Sequence, residues 1–310
     1  MKAQCVRSWR LGKTITHLLA TSGGHALALS KHRRQLWTLL DEEPRVVELG
    51  PPSAEYSAAG NPLGSEFEGA LIAYREGWAV IYSDVVHIGG ADAGTVHTVQ
   101  IENQLPRDGF GRTQVPMLGC SLPDGSVAVA LSTFGNNKPE QLAWLGLDEV
   151  RAQWLDAPTC LAWHGLTTPE EDAVSRDGRS VIGALGLTST GDLLLQSSGA
   201  DRSYHRYGMP FCALAAVDRA AQCSLRTLLD PPGFAFFSAD RRGLLLDRLR
   251  APRTLDTYDL EGRLSGTLRI TPKLTADRRR LHWPPLYDRC DSELWLADPF
   301  DGLVCRLRLS

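Results

Sequence analysis

Three stretches of this sequence concentrate side chains suited to recognition: Trp163-His164, Tyr204-His205-Arg206-Tyr207 and His282-Trp283. Aromatic rings mixed with Arg are the usual material of protein interfaces and of sugar or nucleotide platforms, because they bury large areas and still hydrogen-bond. The same rings serve equally well to pin long loops onto a scaffold. Arg278-Arg279-Arg280 runs into His282-Trp283. A basic run beside aromatics suits phosphate or single-stranded nucleic acid, but a net charge of -3 favours a solvated loop there. No G-x-S-x-G, H-E-x-x-H, Walker loop or complete G-x-G-x-x-G is present, and Gly109-Phe110-Gly111 is a bare fragment. The 8 His are dispersed. His17, His25, His87 and His97 sit in or beside strand-like segments and read as structural. The only four Asn, at 61, 103, 136 and 137, all fall between such segments, where Asn also serves turns for local reasons.

The elements that must hold these loops repeat. A short apolar strand, a tight polar turn and a second apolar strand recur as LLATSGGHALAL (18–29), LIAYREGWAVIY (71–82) and GCSLPDGSVAVAL (119–131). The unit returns as GLTSTGDLLLQ (186–196), FFSADRRGLLLD (236–247) and PLYDRCDSELWLAD (285–298). Taking Gly24, Gly77, Gly125, Gly191, Gly243 and Ser292 as markers, the intervals are 53, 48, 66, 52 and 49 residues. Two more strands follow each unit, usually across an acidic or Gly turn, as in RTLDTYD-LEG-RLSGTLRI. There Leu264, Leu268 and Ile270 face one way and Arg263, Ser265, Thr267 and Arg269 the other, the period of a half-buried strand. Four antiparallel strands per interval of roughly 50 residues is the arithmetic of a β-propeller blade.

The reading is therefore an all-β, six-bladed propeller in a single domain over 1–310, with blades near 15–49, 68–101, 116–155, 181–229, 234–270 and 285–309. The last unit supplies three strands, and residues 5–11 supply its fourth, which removes an exposed edge. The surplus in the 66-residue interval lies between Trp154 and Val181. Thr168-Pro169-Glu170-Glu171 predicts a short helix start there, and 156–210 is the one stretch with room for a seventh blade. The loop entering the first strand of a blade and the loop joining its second and third strands share one face. That face carries the length, at 50–67, 102–115, 156–179, 197–210 and 270–284, and long loops on a rigid scaffold are where binding residues gather.

Composition limits the setting. With 43% hydrophobic and 22% charged residues the chain is globular, and it has no run of roughly 18 apolar residues that would span a membrane. The N-terminus lacks an apolar signal core, and 7 Cys without a C-x-x-C pair read as free thiols in a cytoplasm. Arg outnumbers Lys 28 to 5, which fits GC-rich codons and a bacterial source.

In strand rhythm the chain resembles bacterial six-bladed propellers of the NHL and TolB-like kind. Glu68, opening the second blade in FEGALIA, together with the loop Asn residues resembles the gluconolactonase and senescence-marker propellers. That resemblance implies a divalent metal over the channel, with Glu68, Asn103 and Asn136 as ligands for Ca²⁺, Mg²⁺ or Mn²⁺. The family's later Asn and Asp motifs have no match. The resulting expectation is a monomeric cytoplasmic binding protein without a cofactor, recognising a protein partner through its long-loop face as an inhibitor or immunity-type module. A small-molecule ligand is a lesser expectation, and nucleic acid and membrane are not expected. The alternative is a metal-dependent, lactonase-like hydrolase or lyase.

Overall fold

The computed structural model describes residues 2–12, 14–30, 34–40, 43–50, 69–90, 94–105, 114–133, 139–164, 180–199, 212–229, 233–238, 243–247, 254–271, 286–299 and 301–309. Among them every regular element longer than a turn is a strand. After β1 (Lys2–Arg10), β2 (Ile15–Ala20), β3 (Ala26–Ser30), β4 (Gln35–Leu39) and β5 (Arg45–Glu48) form an antiparallel sheet in that order. β6 (Ala70–Tyr74), β7 (Gly77–Ile81), β8 (Val85–Gly89) and β9 (Val96–Gln100) form the next. β10 (Gln114–Ser121), β11 (Val127–Thr133), β12 (Pro139–Leu147) and β13 (Ala152–Trp154) make a third, and β14 (Thr159–Cys160) adds to β12.

β15 (Ala162–His164) precedes the fourth meander of β16 (Ser180–Leu187), β17 (Leu193–Gly199), β18 (Cys212–Val217) and β19 (Gln222–Leu228). The fifth is β20 (Phe234–Phe237), β21 (Leu244–Asp247), β22 (Thr254–Tyr258) and β23 (Leu264–Thr271). β24 (Leu286–Cys290), β25 (Glu293–Ala297) and β26 (Leu303–Leu309) then pair with β1 as their fourth strand, as the sequence predicts. β1 also runs parallel to β23, which joins the last two sets into one eight-stranded sheet.

Two compact units result, Lys13–Cys160 and Met1–Gly12 with Leu161–Ser310. In the first, Ile72, Ile81, Val129, Leu145 and Trp154 share one apolar core, and the Tyr74 hydroxyl donates to the Leu147 carbonyl at 2.9 Å. In the second, Leu245, Leu255, Ile270, Leu294, Leu296 and Leu307 share another. Burial grades across each set. The second strands β3, β7, β11 and β21 are near-continuous apolar runs covered on both faces. The fourth strands β5, β9 and β19 are half exposed.

The acidic turns between third and fourth strands have a common device. Asp148 accepts the backbone N–H groups of Val150 and Arg151, Asp218 those of Ala220 and Gln222, and Asp259 those of Glu261 and Arg263, all at 2.7–3.0 Å. A short carboxylate side chain thereby replaces a turn's missing backbone acceptor. The segment 156–179 differs from the loop read in the sequence. β14 and β15 lie in it, two and three residues long, each added to an existing edge and too short for a periodic signature. The helix start at 168–171 lies outside the described residues.

Candidate functional site

Within the Lys13–Cys160 unit, polar side chains gather where β3 turns into β4 and β7 into β8. Arg34 takes a φ of 45°, unusual for a residue with a Cβ, and its carbonyl accepts the Leu49 N–H at 2.9 Å, tying down the end of β5. Its side chain is 1% exposed and donates from Nη2 to Asp84 Oδ1 at 3.2 Å. The guanidinium carbon sits 3.9 Å from the centre of the Tyr82 ring. Tyr82 meets His87 edge-on, with ring centres 5.8 Å apart. Gly69 borders the same ring, for a Cβ there would come within 2.7 Å of two Tyr82 ring carbons. Ser83 Oγ donates to the Gln114 carbonyl at 2.9 Å, which fixes the start of β10 beside the turn.

Among the described residues, several buried polar atoms at this end of the unit have no hydrogen-bond partner: Ser30 Oγ, Gln35 Oε1, Tyr82 Oη, His87 Nε2 and Gln114 Oε1. Buried polar groups are nearly always paired, so this concentration marks hydrogen-bonding capacity that water or a ligand can take up. The other ring nitrogen of His87 lies 3.1 Å from Thr98 Oγ1. Burial, aided by the Arg34 charge, pushes the imidazole down to about 4, while burial pushes the Tyr82 phenol up. Both rings are therefore neutral at pH 7. They can donate and accept hydrogen bonds, and neither is poised to exchange a proton near neutrality.

Of the residues singled out in sequence, Trp163 and His164 have their backbone in β15, parallel to Cys223 and Ser224 of β19, and so lie on a strand added to a sheet edge. Asn103 caps the neighbouring sheet. Its Nδ2 donates to the Trp154 carbonyl at 2.8 Å and its Oδ1 accepts the Trp154 N–H at 2.7 Å. Glu68, Asn136, Tyr204, His205, Arg206, Tyr207, His282 and Trp283 lie outside the described residues. His17 donates from Nε2 to the Met117 carbonyl, and burial lowers its pKa. His87 is in a strand, as read, but faces the polar cluster.

Arg34, Tyr82, Asp84 and Gln114 were not singled out in sequence. The available signal was a polar residue at or just past the end of the second strand in several sets, as at Ser30, Ser83, Ser132 and Asp247. In the other unit, fully buried Asp247 accepts from the Tyr287 hydroxyl at 2.8 Å, and Tyr287 packs edge-on against Phe236. Among the described residues no three His, Cys, Asp or Glu side chains are arranged to hold a metal ion.

No protein-family model matches the sequence, and no curated protein does. Solved structures do match in fold. The β-propeller domain of Swd1 from Myceliophthora thermophila is 11% identical, covering 99% of this chain and 100% of that one, with a TM-score of 0.51. Virginiamycin B lyase from Staphylococcus aureus, crystallised with quinupristin, is 10% identical over 98% of this chain and 99% of its own, with a TM-score of 0.51. Regucalcin from Agrobacterium tumefaciens, a calcium-binding protein, is 11% identical over 100% of this chain and 96% of its own, with a TM-score of 0.52. Lyase, calcium-binding protein and Swd1 domain each match this chain in architecture and little in sequence, so the likeness speaks for the fold alone. The chain has the β-propeller fold.

Proposed function

We propose that this chain is a six-bladed propeller working as a cytoplasmic binding module of inhibitor or immunity type, and that it receives a protein partner at the end of its sheets where the long loops lie. Six antiparallel four-strand sets, the last completed by β1, support the blade count. The observation that carries the function is the cluster around Arg34, Tyr82, Asp84 and His87. It offers buried hydrogen-bonding atoms with no partner among the described residues, and its rings are held neutral, which suits recognition better than acid–base chemistry. Arg, Tyr and Trp are also the side chains whose burial supplies most interface energy.

The test is affinity capture from an extract of the source organism, with the wild type beside alanine variants at Trp163, Tyr204 and Trp283. The reading expects one polypeptide retained in stoichiometric amount and lost from at least one variant. Retention of nothing, or of the same species by all three variants, defeats it. The alternative, a hydrolase or lyase using Ca²⁺, Mg²⁺ or Mn²⁺, draws support from Gly69, whose contact with Tyr82 sets the position after Glu68 at the edge of the cluster. It requires a stoichiometric metal in the purified protein that Glu68→Gln releases.

A further inference from the structure

In the unit that holds both termini, three strands bring arginines to one face. Lys2 pairs with Arg269 of β23, and Gln4, two residues on along β1, pairs with Arg308 of β26. Directly opposed residues point to the same side of a sheet, and so do residues two apart. Arg269, Gln4 and Arg308 therefore share a face, as does Arg306. The bulge between Cys5 and Arg7 restores the register so that Arg7 opposes Arg306 and joins them. Without that extra residue Arg7 would turn to the opposite, apolar side, which Ala3, Ile270 and Leu307 occupy.

Arg7, Arg269 and Arg308 are exposed. Strand spacing puts the Cα of Arg308 about 8 Å from that of Arg7 and about 12 Å from that of Arg269, with Arg7 and Arg269 about 14 Å apart. Among the described residues, two acids on the flanking strands β25 and β22 lie on this face. Glu293 is taken up by Arg306, whose Nε and Nη2 both donate to its Oε1 at 2.9 and 2.6 Å. Asp256, opposite Thr267 of β23, accepts from Thr267 Oγ1 at 2.7 Å. Two of the guanidinium groups are held in place. Arg7 lies 5.4 Å from the Trp9 ring, Trp9 stacks on Trp295 at 5.5 Å, and Arg306 lies 5.7 Å from Trp295. A charge fixed in advance loses less freedom on binding. Val6 stands 47% exposed at the bulge, an apolar contact in the middle of the basic strip.

We propose that this outer face of β23, β1 and β26 is a docking surface for an extended acidic segment of a protein partner. The charge complementarity is local, since the chain as a whole is at -3. The indoles decide between a peptide and single-stranded nucleic acid. Nucleic-acid channels offer ring faces to bases, whereas Trp9 and Trp295 are 7% and 1% exposed and spent on each other and on the arginines. The surface draws on no residue of the Arg34 cluster and stands whether or not that cluster binds a partner.

The test uses a labelled 12-residue peptide of alternating Glu and Val, and an oligothymidylate of the same length, titrated by fluorescence anisotropy. The full-length protein is compared with R269E/R308E and R269K/R308K. The peptide is expected to bind the wild type at about 50 mM NaCl and to weaken about tenfold or more at about 300 mM. The Glu variant should lose it by a similar factor at low salt, with its far-ultraviolet circular dichroism and melting temperature unchanged. The Lys variant, which keeps the charge, should stay within about threefold of wild type. No peptide binding at low salt overturns the proposal, as does equal binding by R269E/R308E. Tighter, equally Arg-dependent binding of the oligothymidylate overturns it in favour of a nucleic-acid surface.

Discussion

Arg34 lies with its guanidinium carbon 3.9 Å from the centre of the Tyr82 ring, 48 positions away in the chain and brought to it by two strand-to-strand turns. The contact holds a permanent charge almost wholly out of water, 1% exposed, against a carboxylate, Asp84, that is itself only 13% exposed. Removing one partner of such a pair takes from the other, still buried, its opposite charge. Asp84→Ala is expected to destabilise the protein by about 3–5 kcal/mol, and Arg34→Met/Asp84→Leu by less than Asp84→Ala alone. Urea denaturation of the three proteins measures this. A single Asp84 variant as stable as wild type would mean that the pair does not shape this end of the unit.

His87 gives the same cluster a pH signature. Its ordinary value is 6.5, and burial with the Arg34 charge lowers it to about 4. The unfolded chain therefore takes up a proton on this ring as pH falls through 6.5, while the folded chain does not until about 4. Stability at neutral pH is lost across that window, by about 3 kcal/mol if the full shift is realised. His17, also lowered by burial, acts in the same direction. Urea midpoints at pH 7 and pH 4.5 should differ less in His87→Leu than in wild type. An unchanged difference would mean that the imidazole titrates normally.

Much of the architecture was legible in the sequence because each turn needs a particular residue. Gly125 takes a φ of 85°, which favours glycine, and a Cβ at Gly77 would strike the Gly89 carbonyl. The five glycine markers that revealed the repeat are positions where a side chain is disfavoured. The completion of the last set by residues 5–11 was legible for a related reason, since a three-stranded remainder and an unassigned strand fit together. The Arg34–Asp84 pair left no local trace, because no periodicity links two charges in separate turns. β15 escaped as well. Its three residues pair in parallel with β19, some sixty positions away, and parallel neighbours carry no hairpin signal.

The pairing of β1 with β26 makes the N-terminal strand structural. Deleting residues 1–11 removes the neighbour of both β26 and β23 and takes Trp9 off Trp295. The expected result is aggregation through two bared strand edges. The milder Trp9→Ala, at a side chain 7% exposed, should cost about 3–5 kcal/mol while leaving a monomer. Light scattering and thermal melting check both. A truncated protein that is monomeric and melts at the wild-type temperature would show that the strand is dispensable.

None of the seven cysteines is in a disulfide, and they differ in how far they can react. Burial raises the Cys212 thiol to about 11 and the Cys223 and Cys305 thiols to about 12, so at neutral pH these carry almost no thiolate. Cys160 is exposed on β14. Iodoacetamide at pH 7.5 should modify Cys160 first and leave Cys212, Cys223 and Cys305 untouched until denaturation, when all seven react without a reductant. Peptide mapping by mass spectrometry reads the order. Fewer than seven thiols in the denatured, unreduced protein would mean disulfides.

Asn103 separates the two functional readings most cheaply. Its amide both donates to and accepts from the backbone of Trp154, closing an edge where Glu102 also donates its N–H to the Ala152 carbonyl. As a structural clamp, Asn103→Ala loses two hydrogen bonds at part-buried positions and should destabilise by about 1–3 kcal/mol. Asn103→Asp keeps the acceptor for the Trp154 N–H and loses the donor, and should fall between alanine and wild type. A metal ligand orders the variants differently. Asp would hold a divalent cation at least as well as Asn does, and Ala would release it. Urea denaturation together with elemental analysis of the three purified proteins distinguishes the cases. Graded stability at constant metal content is the expected outcome, and a stoichiometric metal lost only in Asn103→Ala would move this residue into a catalytic centre.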